Sequence, residues 1–401
     1  MSGATLSRRL DPAGVERPVL AGWTAVVLGI LAFWLALPPL LVRTPVLSLV
    51  VAATAIGLGL WVVREGQRRL GWGAILAGVF GAVGAIAATQ SGEANLERVV
   101  IWSALAAAML RFATPLIFAA LGGVVSERSG VVNIGLEGMM LFGAFFGIYG
   151  ADVTGSWLGG LLVGMVAGGV LALLHAFFSV SLRADQIVSG FAINFLALGI
   201  TGYIFLHHYG DQGTPDGLPQ VPDVSLPIDW IPFFGPALDK LNLLVWVAIL
   251  LVFAVWLFVF RTPAGLRLRS VGENPRAAAT VGISVYKVRY LAVIASGVLA
   301  AMGGAFISIG FVHSFNQNMT AGRGFIALAV VIVGKWRPGA ALAAALMFGF
   351  AQALAQRLPV FSESSATLLQ ALPYVVTLIA VAGLVGRSTP PAADGVPYSK
   401  E

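Results

Sequence analysis

Leu20-Ala-Gly-Trp-Thr-Ala-Val-Val-Leu-Gly-Ile-Leu-Ala-Phe-Trp-Leu-Ala-Leu-Pro-Pro-Leu-Leu41 contains no charged side chain. It satisfies the roughly 20 apolar residues that a helix needs to cross the hydrocarbon core of a bilayer. Similar runs follow at 46–63, 71–88, 99–122, 134–151, 157–182, 187–206, 243–260, 290–312, 324–334, 340–355 and 370–386. They are too long and too uniformly apolar for the alternating strands of a membrane β-barrel. The expected fold is all-α: a polytopic integral membrane protein with about ten to twelve transmembrane helices, some of them short or broken.

Composition leads to the same class. Of the 401 residues, 58% are hydrophobic and only 10% are charged, against about 25% charged in soluble globular proteins. Lipid must therefore serve as solvent for much of the surface. The first run is longer than the apolar region of a signal peptide and further runs follow, so it reads as a retained helix. The chain has no cysteine, which removes disulfides, thiolate metal sites and cysteine nucleophiles.

The basic residues suggest an orientation. With twelve crossings and an inner N-terminus, 18 of the 24 lysines and arginines fall on inner segments, among them Arg64, Arg128, Arg183, Arg267, Lys335 and Arg387. Five fall outside, at Arg43, Arg98, Lys240, Arg323 and Arg357, and Arg111 lies within a run. This is the bias of the positive-inside rule, and it accounts for the net charge of +6 without a nucleic-acid partner. The protein is expected in the cell (inner or plasma) membrane, multi-pass, with both termini cytoplasmic.

Two crossings are weak. The run at 324–334 is short, as a half-helix or re-entrant element would be. The run at 99–122 contains Arg111 and the Thr114-Pro115 step, so its first part could lie along the outer surface. Of the loops, 207–242 is rich in Pro, Gly and Asp and is expected outside. The loop at 261–289 carries six basic residues against one acid, Glu273. At its centre, Gly272 suits an unusual turn, Asn274 an N-cap and Pro275 the first helical position. The alanines that follow, Ala277 and Ala278 among them, favour a short helix that Gly282 can end.

Polar groups inside apolar runs are the candidate functional residues. Glu137 stands at the edge of a span, where an ionisable group is costly and functional by default. It could be a carboxylate satisfied by its own helix start, a contact to substrate, or a bridge to a neighbouring helix. Gln186, Ser189 and Gly190 fall on one helical face, which Asn194 continues. They could bond other helices or line a pathway. Asn316 and Asn318 precede the short 324–334 run, and interrupted hydrophobic segments point to transport sites. No catalytic constellation is present: Gly334-Lys335-Trp336 is not a nucleotide-binding loop, and no His-Glu-x-x-His pattern occurs. No metal site is expected from the scattered histidines.

Ala113-Thr-Pro-Leu-Ile and Leu121-Gly-Gly-Val-Val-Ser-Glu-Arg-Ser-Gly-Val-Val-Asn-Ile-Gly-Leu-Glu-Gly-Met-Met resemble permease subunits of ABC importers. That broad family serves branched-chain amino acids, ribose and other simple sugars, and nucleosides. Ser126-Glu-Arg-Ser-Gly130 and Ala184-Asp-Gln-Ile-Val-Ser-Gly-Phe-Ala-Ile-Asn194 are most similar to the nucleoside branch. Gly272-Glu-Asn-Pro-Arg-Ala-Ala with Gly282-Ile283 resembles the cytoplasmic coupling loop, and Gly322-Arg-Gly-Phe-Ile-Ala-Leu-Ala another shared stretch. The resemblance spans 110–386.

It implies a permease core at 99–387, a coupling loop at 261–289 and a cytoplasmic tail at 388–401. The extension at 1–98, with about three helices by length, departs from it. The implied partners are a cytoplasmic ABC ATPase, a second and different permease, an extracellular substrate-binding protein or lipoprotein, the lipid bilayer and a small-molecule substrate. ATP and Mg would be bound by the ATPase and no cofactor by this chain, which would not be an enzyme. ATPase coupling would rest on Gly272, Glu273, Asn274, Pro275, Ala277, Ala278 and Gly282. A substrate pathway would draw on Asn133, Glu137, Gln186, Ser189, Asn194, Phe195 and Asn318. The alternatives are a sugar or amino-acid permease of the same family, a secondary transporter and a membrane enzyme. The secondary transporter would need a relay of buried ionisable groups, of which only Glu137 is evident.

Overall fold

The computed structural model describes residues 17–37, 40, 42, 44–90, 101–228, 230–231, 233–357, 375–376 and 389–399. Apart from residues 375–376, the run expected to cross at 370–386 lies outside them, as do Arg8, Arg9, Arg43, Arg98, Asp229, Arg387 and Lys400.

The chain is an all-α polytopic membrane protein. Among the described residues, ten helices are long and apolar enough to cross a bilayer, and one shorter apolar helix spans Arg323–Val333. Two compact units are formed, Met1–Leu105 with Ala351–Arg387, and Ala106–Phe350 with Ser388–Glu401.

In the first unit, α1 (Arg17–Trp34), α2 (Pro45–Arg64) and α3 (Arg68–Gln90) pack together. Their contact is made of Ala25, Val26, Val62, Leu70, Ala74 and Ala77. Such small side chains let helix backbones approach closely, which is what holds helices together in lipid.

The second unit contains the candidate site. α4 (Trp102–Glu127) is one continuous helix with Pro115 inside it, so neither Arg111 nor the Thr114-Pro115 step breaks it. Proline is tolerated in membrane helices; Thr114 Oγ1 donates to the Leu110 carbonyl at 2.7 Å, one residue before the Arg111 carbonyl that would pair with the N–H that Pro115 lacks. α5 (Leu136–Thr154), α6 (Trp157–Ala176) and α12 (Val285–Ala305) form the packed centre, joined by α7 (Gln186–Tyr209). Phe118, Met139, Met140, Phe145 and Phe306 are fully buried there. α6 and α12 pass into π turns, Phe177–Ser181 and Phe306–Val312.

The loop after α7 holds a short helix, α8 (Phe234–Leu238), and two short strands. These strands, β1 (Asp223–Val224) and β2 (Leu241–Asn242), pair antiparallel. α9 (Leu243–Arg261) follows. The basic loop then folds as α10 (Pro263–Glu273) and α11 (Pro275–Thr280) before α12. α13 (Arg323–Val333) and α14 (Pro338–Arg357) complete the described helices.

Candidate functional site

Four helices converge on the turn between α4 and α5. Helix starts carry backbone N–H groups with no partner inside the helix, and in lipid each must be met by protein. The first turn of α5 meets this need from α7: Asn194 Oδ1 accepts from Gly138 N at 2.8 Å, while its Nδ2 donates to the Ile134 carbonyl at 3.0 Å. Both ends of the amide are thus engaged.

The preceding residues are held in the same way. Gln186 Oε1 accepts from Val132 N at 2.7 Å. On the other side, His175 Nε2 lies 3.3 Å from the Val132 carbonyl, and His175 Nδ1 lies 3.1 Å from Ser189 Oγ. Donation from Nε2 assigns Nδ1 as the acceptor of the Ser189 hydroxyl. Asn133 Nδ2 donates to Ser296 Oγ at 2.9 Å. Two polar atoms of this buried cluster, Asn133 Oδ1 and Gln186 Nε2, have no partner.

Glu137 bridges two helix starts. It lies in the first turn of α5, and its carboxylate reaches the amino end of α13. Oε1 accepts from Thr320 Oγ1 at 2.6 Å and from Gly322 N at 2.8 Å; Oε2 accepts from Gly324 N at 2.6 Å. A negative charge is favoured at a helix amino end by the dipole and by the free N–H groups. The approach requires glycine: a Cβ on Gly324 would stand 2.5 Å from Glu137 Cα, and Gly322 has φ +82°. These hydrogen bonds run to the start of α13 and not to Glu137's own helix start, which is the bridge to a neighbour among the three readings left open by the sequence.

The remaining pathway candidates lie elsewhere. Phe195 is 71% exposed on α7. Asn318 is exposed in the turn before α13, with φ +56°. Thr320, His175 and Ser296 join the cluster although sequence reasoning did not select them. The only sequence signal they gave was a polar side chain within or beside an apolar run.

The second region is the basic loop. Asn274 Oδ1 accepts from Ala277 N at 3.0 Å and Pro275 occupies the first turn of α11. Gly282, with φ +84°, follows the helix. Ala278 is buried against Val271, Val285 and Tyr398, whereas Glu273, Asn274, Arg276 and Ala277 are exposed. A groove of about 670 Å³ lies beside α11, between Leu266 and Arg267 of α10 and Ile283, Lys287 and Val288. The turn after α4 stands against this loop, where a Cβ on Gly272 would lie 2.2 Å from the Arg128 carbonyl oxygen; Arg128 itself donates through Nε and Nη2 to the Trp336 carbonyl between α13 and α14, at 3.2 and 3.1 Å. Burial draws the Arg128 guanidinium below its ordinary pKa, opposed by the nearby Glu273. No group of three metal-ligating side chains occurs among the described residues.

The side-chain contacts of the polar cluster tie one element to another, the Ser189–His175 contact of α7 with α6 among them. Comparisons with known proteins give the family. The family described as branched-chain amino acid transport system / permease component matches residues 105–381. The guanosine ABC transporter permease protein NupQ of Bacillus subtilis is 44% identical over 322 residues, covering 76% of this chain and 99% of the relative. The nucleoside ABC transporter permease protein NupC of Lactococcus lactis is 41% identical over 308 residues, covering 74% and 96%. A putative glucose ABC transporter permease protein, TsgC13 of Haloferax volcanii, is 38% identical over 255 residues, covering 62% and 76%. No solved structure matches the chain.

Proposed function

Because the chain belongs to the branched-chain amino acid transport system permease family, we propose that it is the membrane-spanning subunit of an ATP-binding-cassette importer that takes up nucleosides. The observation that carries the substrate class is the 44% and 41% identity along nearly the whole length of two nucleoside-system permeases. The chain is a transport subunit and not an enzyme. ATP and Mg belong to a cytoplasmic ATPase, and a second, different permease and an extracellular substrate-binding protein or lipoprotein complete the assembly.

The charge bias of the loops supports cytoplasmic termini and a cytoplasmic basic loop. α11 is then the element that docks on the ATPase: its Ala278 is buried against the body of the permease, whereas Asn274 and Ala277 are exposed. Nucleotide binding can switch the permease only if each nucleotide state of the ATPase favours a different opening. Within the permease, Glu137 joins the starts of α5 and α13, so a displacement of one is carried to the other. Asn194, with both amide ends engaged, positions that hinge. Phe195 and Asn318 have free surface, and they are the residues we assign to solute contact, through base stacking and hydroxyl recognition respectively.

The test is reconstitution of the chain with its neighbouring-gene partners in liposomes, followed by ATP-dependent uptake of labelled adenosine, guanosine, ribose and leucine. Nucleoside uptake that Ala277→Asp, on the exposed side of α11, abolishes while the permease still assembles supports both the substrate class and the coupling element. Ribose or leucine uptake keeps the importer and overturns the substrate. Uptake indifferent to ATP overturns the importer. A sugar permease is the second reading, favoured by the 38% identity to the putative glucose-system permease.

A further inference from the structure

The family match ends at residue 381, yet residues 389–399 beyond it are seated on the second unit. Residues 389–399 form turns closed by Asp394 N to the Pro391 carbonyl at 3.0 Å and Val396 N to the Ala393 carbonyl at 3.2 Å. Pro390, Pro391 and Pro397 restrict this segment further, so little chain entropy is left to lose when it docks.

Its contacts converge on the basic loop. Ala393 N donates to the Gly272 carbonyl at 2.9 Å, and Ala392 N to Glu273 Oε2 at 3.3 Å. Arg289 Nη1 of α12 donates to the Val396 carbonyl at 2.9 Å. The Tyr286 and Tyr398 rings meet edge to face with centroids 5.6 Å apart, and Tyr398 closes the small core of Val271, Ala278 and Val285. The buried face of α11 is therefore completed by the tail.

The same segment touches the turn after α4. A Cβ on Gly130, at φ +86°, would lie 2.9 Å from the Ala393 carbonyl oxygen, and one on Gly272 would lie 2.2 Å from the Arg128 carbonyl oxygen. Tail, α10–α11 corner and the 128–130 turn thus meet backbone to backbone. That turn leads directly into Val132, Asn133 and Glu137, the polar cluster at the start of α5.

We propose that residues 389–399 are a clasp that makes α11 and the 128–130 turn move as one body, passing displacement of the docked α11 to the start of α5. The proposal rests on the reading of α11 as the ATPase contact. It assigns to the tail the transmission step, in series with docking.

The test uses the reconstituted importer. Removal of 389–401, and separately Tyr398→Ala, are expected to leave the ATPase bound and hydrolysing while solute transported per ATP falls roughly tenfold, within the usual range of coupling between sites. Because the chain has no cysteine, a Tyr286→Cys, Tyr398→Cys pair can be joined specifically by a short bis-maleimide, each thiol adding across one maleimide double bond. The unjoined pair should transport poorly per ATP, and joining should restore transport severalfold. Unchanged transport per ATP in Tyr398→Ala, no joining in the membrane, or joining that lowers transport would each overturn the clasp. Loss of the bound ATPase on tail removal would also overturn it, by making the tail a docking element. Absence of ATP-driven uptake by the unaltered complex would instead sink the importer reading, before any variant is compared.

Discussion

Gly324 N donates to Glu137 Oε2 at 2.6 Å, although the two residues are 187 positions apart and begin different helices. With Thr320 and Gly322 donating to the other oxygen, one carboxylate serves as the amino-terminal anion of α13 while belonging to the first turn of α5. Buried donors left without acceptors cost about 1–3 kcal/mol each. Glu137→Ala is therefore expected to destabilise the chain by on the order of 3 kcal/mol. Thr320→Val should cost nearer 1 kcal/mol, because it removes one donor and leaves no orphan. Thermal unfolding of the purified chain in detergent checks both; equal losses would mean that the anion is not what holds α13.

Gly324→Ala tests the same junction sterically. Its Cβ would stand 2.5 Å from Glu137 Cα, a distance that only backbone movement relieves. The expected outcome is a loss at least as large as for Thr320→Val, together with loss of uptake. A fully active Gly324→Ala protein would show that the two helix starts can separate without consequence.

Asn194 and its neighbour Phe195 should part company. Asn194→Leu removes the partners of Gly138 N and the Ile134 carbonyl, and should cost about 2 kcal/mol or more in stability. Phe195, 71% exposed, should be replaceable by Ala within about 0.5 kcal/mol, yet raise the apparent KM for nucleoside uptake. Uptake kinetics and unfolding measured on the same preparations separate the two; an unaltered KM in Phe195→Ala would remove that ring from the pathway.

The tail carries a pH signature. Burial pushes the Asp394 carboxyl up to about 7, with Arg289 opposing the shift. The backbone N–H of Gly395, bonded to the carboxylate, opposes the shift as well. A detached tail would titrate near the ordinary carboxyl value, so the seated tail binds the extra proton between the two. Seating is therefore strongest below the ordinary value and weakens as pH rises to about 7. Asp394→Asn should flatten this dependence and tighten the tail at neutral pH. Protease protection of 389–399 from about pH 4 to about pH 7, the window between the two values, reads it out; an unchanged profile in Asp394→Asn would exclude this group.

Capping of α11 is local and predicts a local effect. Asn274→Ala should cost about 1 kcal/mol of helix stability, whereas Asn274→Asp keeps an acceptor for Ala277 N and should cost much less. Since the cap fixes the docking element, ATPase binding should follow the same order, measurable by co-purification.

The sequence by itself determined the solvent of this protein. Hydrophobic runs such as 20–41 and 243–260 decide membrane insertion one segment at a time, because satisfying the backbone in lipid needs no contact beyond the helix itself. Asn274-Pro275 likewise wrote its own helix start, since a cap acts over three residues. The sequence also marked Glu137, Gln186, Ser189 and Asn194 as polar groups out of place, but not where they turn. Only the tertiary structure decided that Glu137 serves α13, that Asn194 serves α5, and that Tyr398 closes the core under α11. Those choices depend on the register between helices far apart in the chain, and register is set by how whole side-chain surfaces interlock, a property that no single stretch of sequence carries.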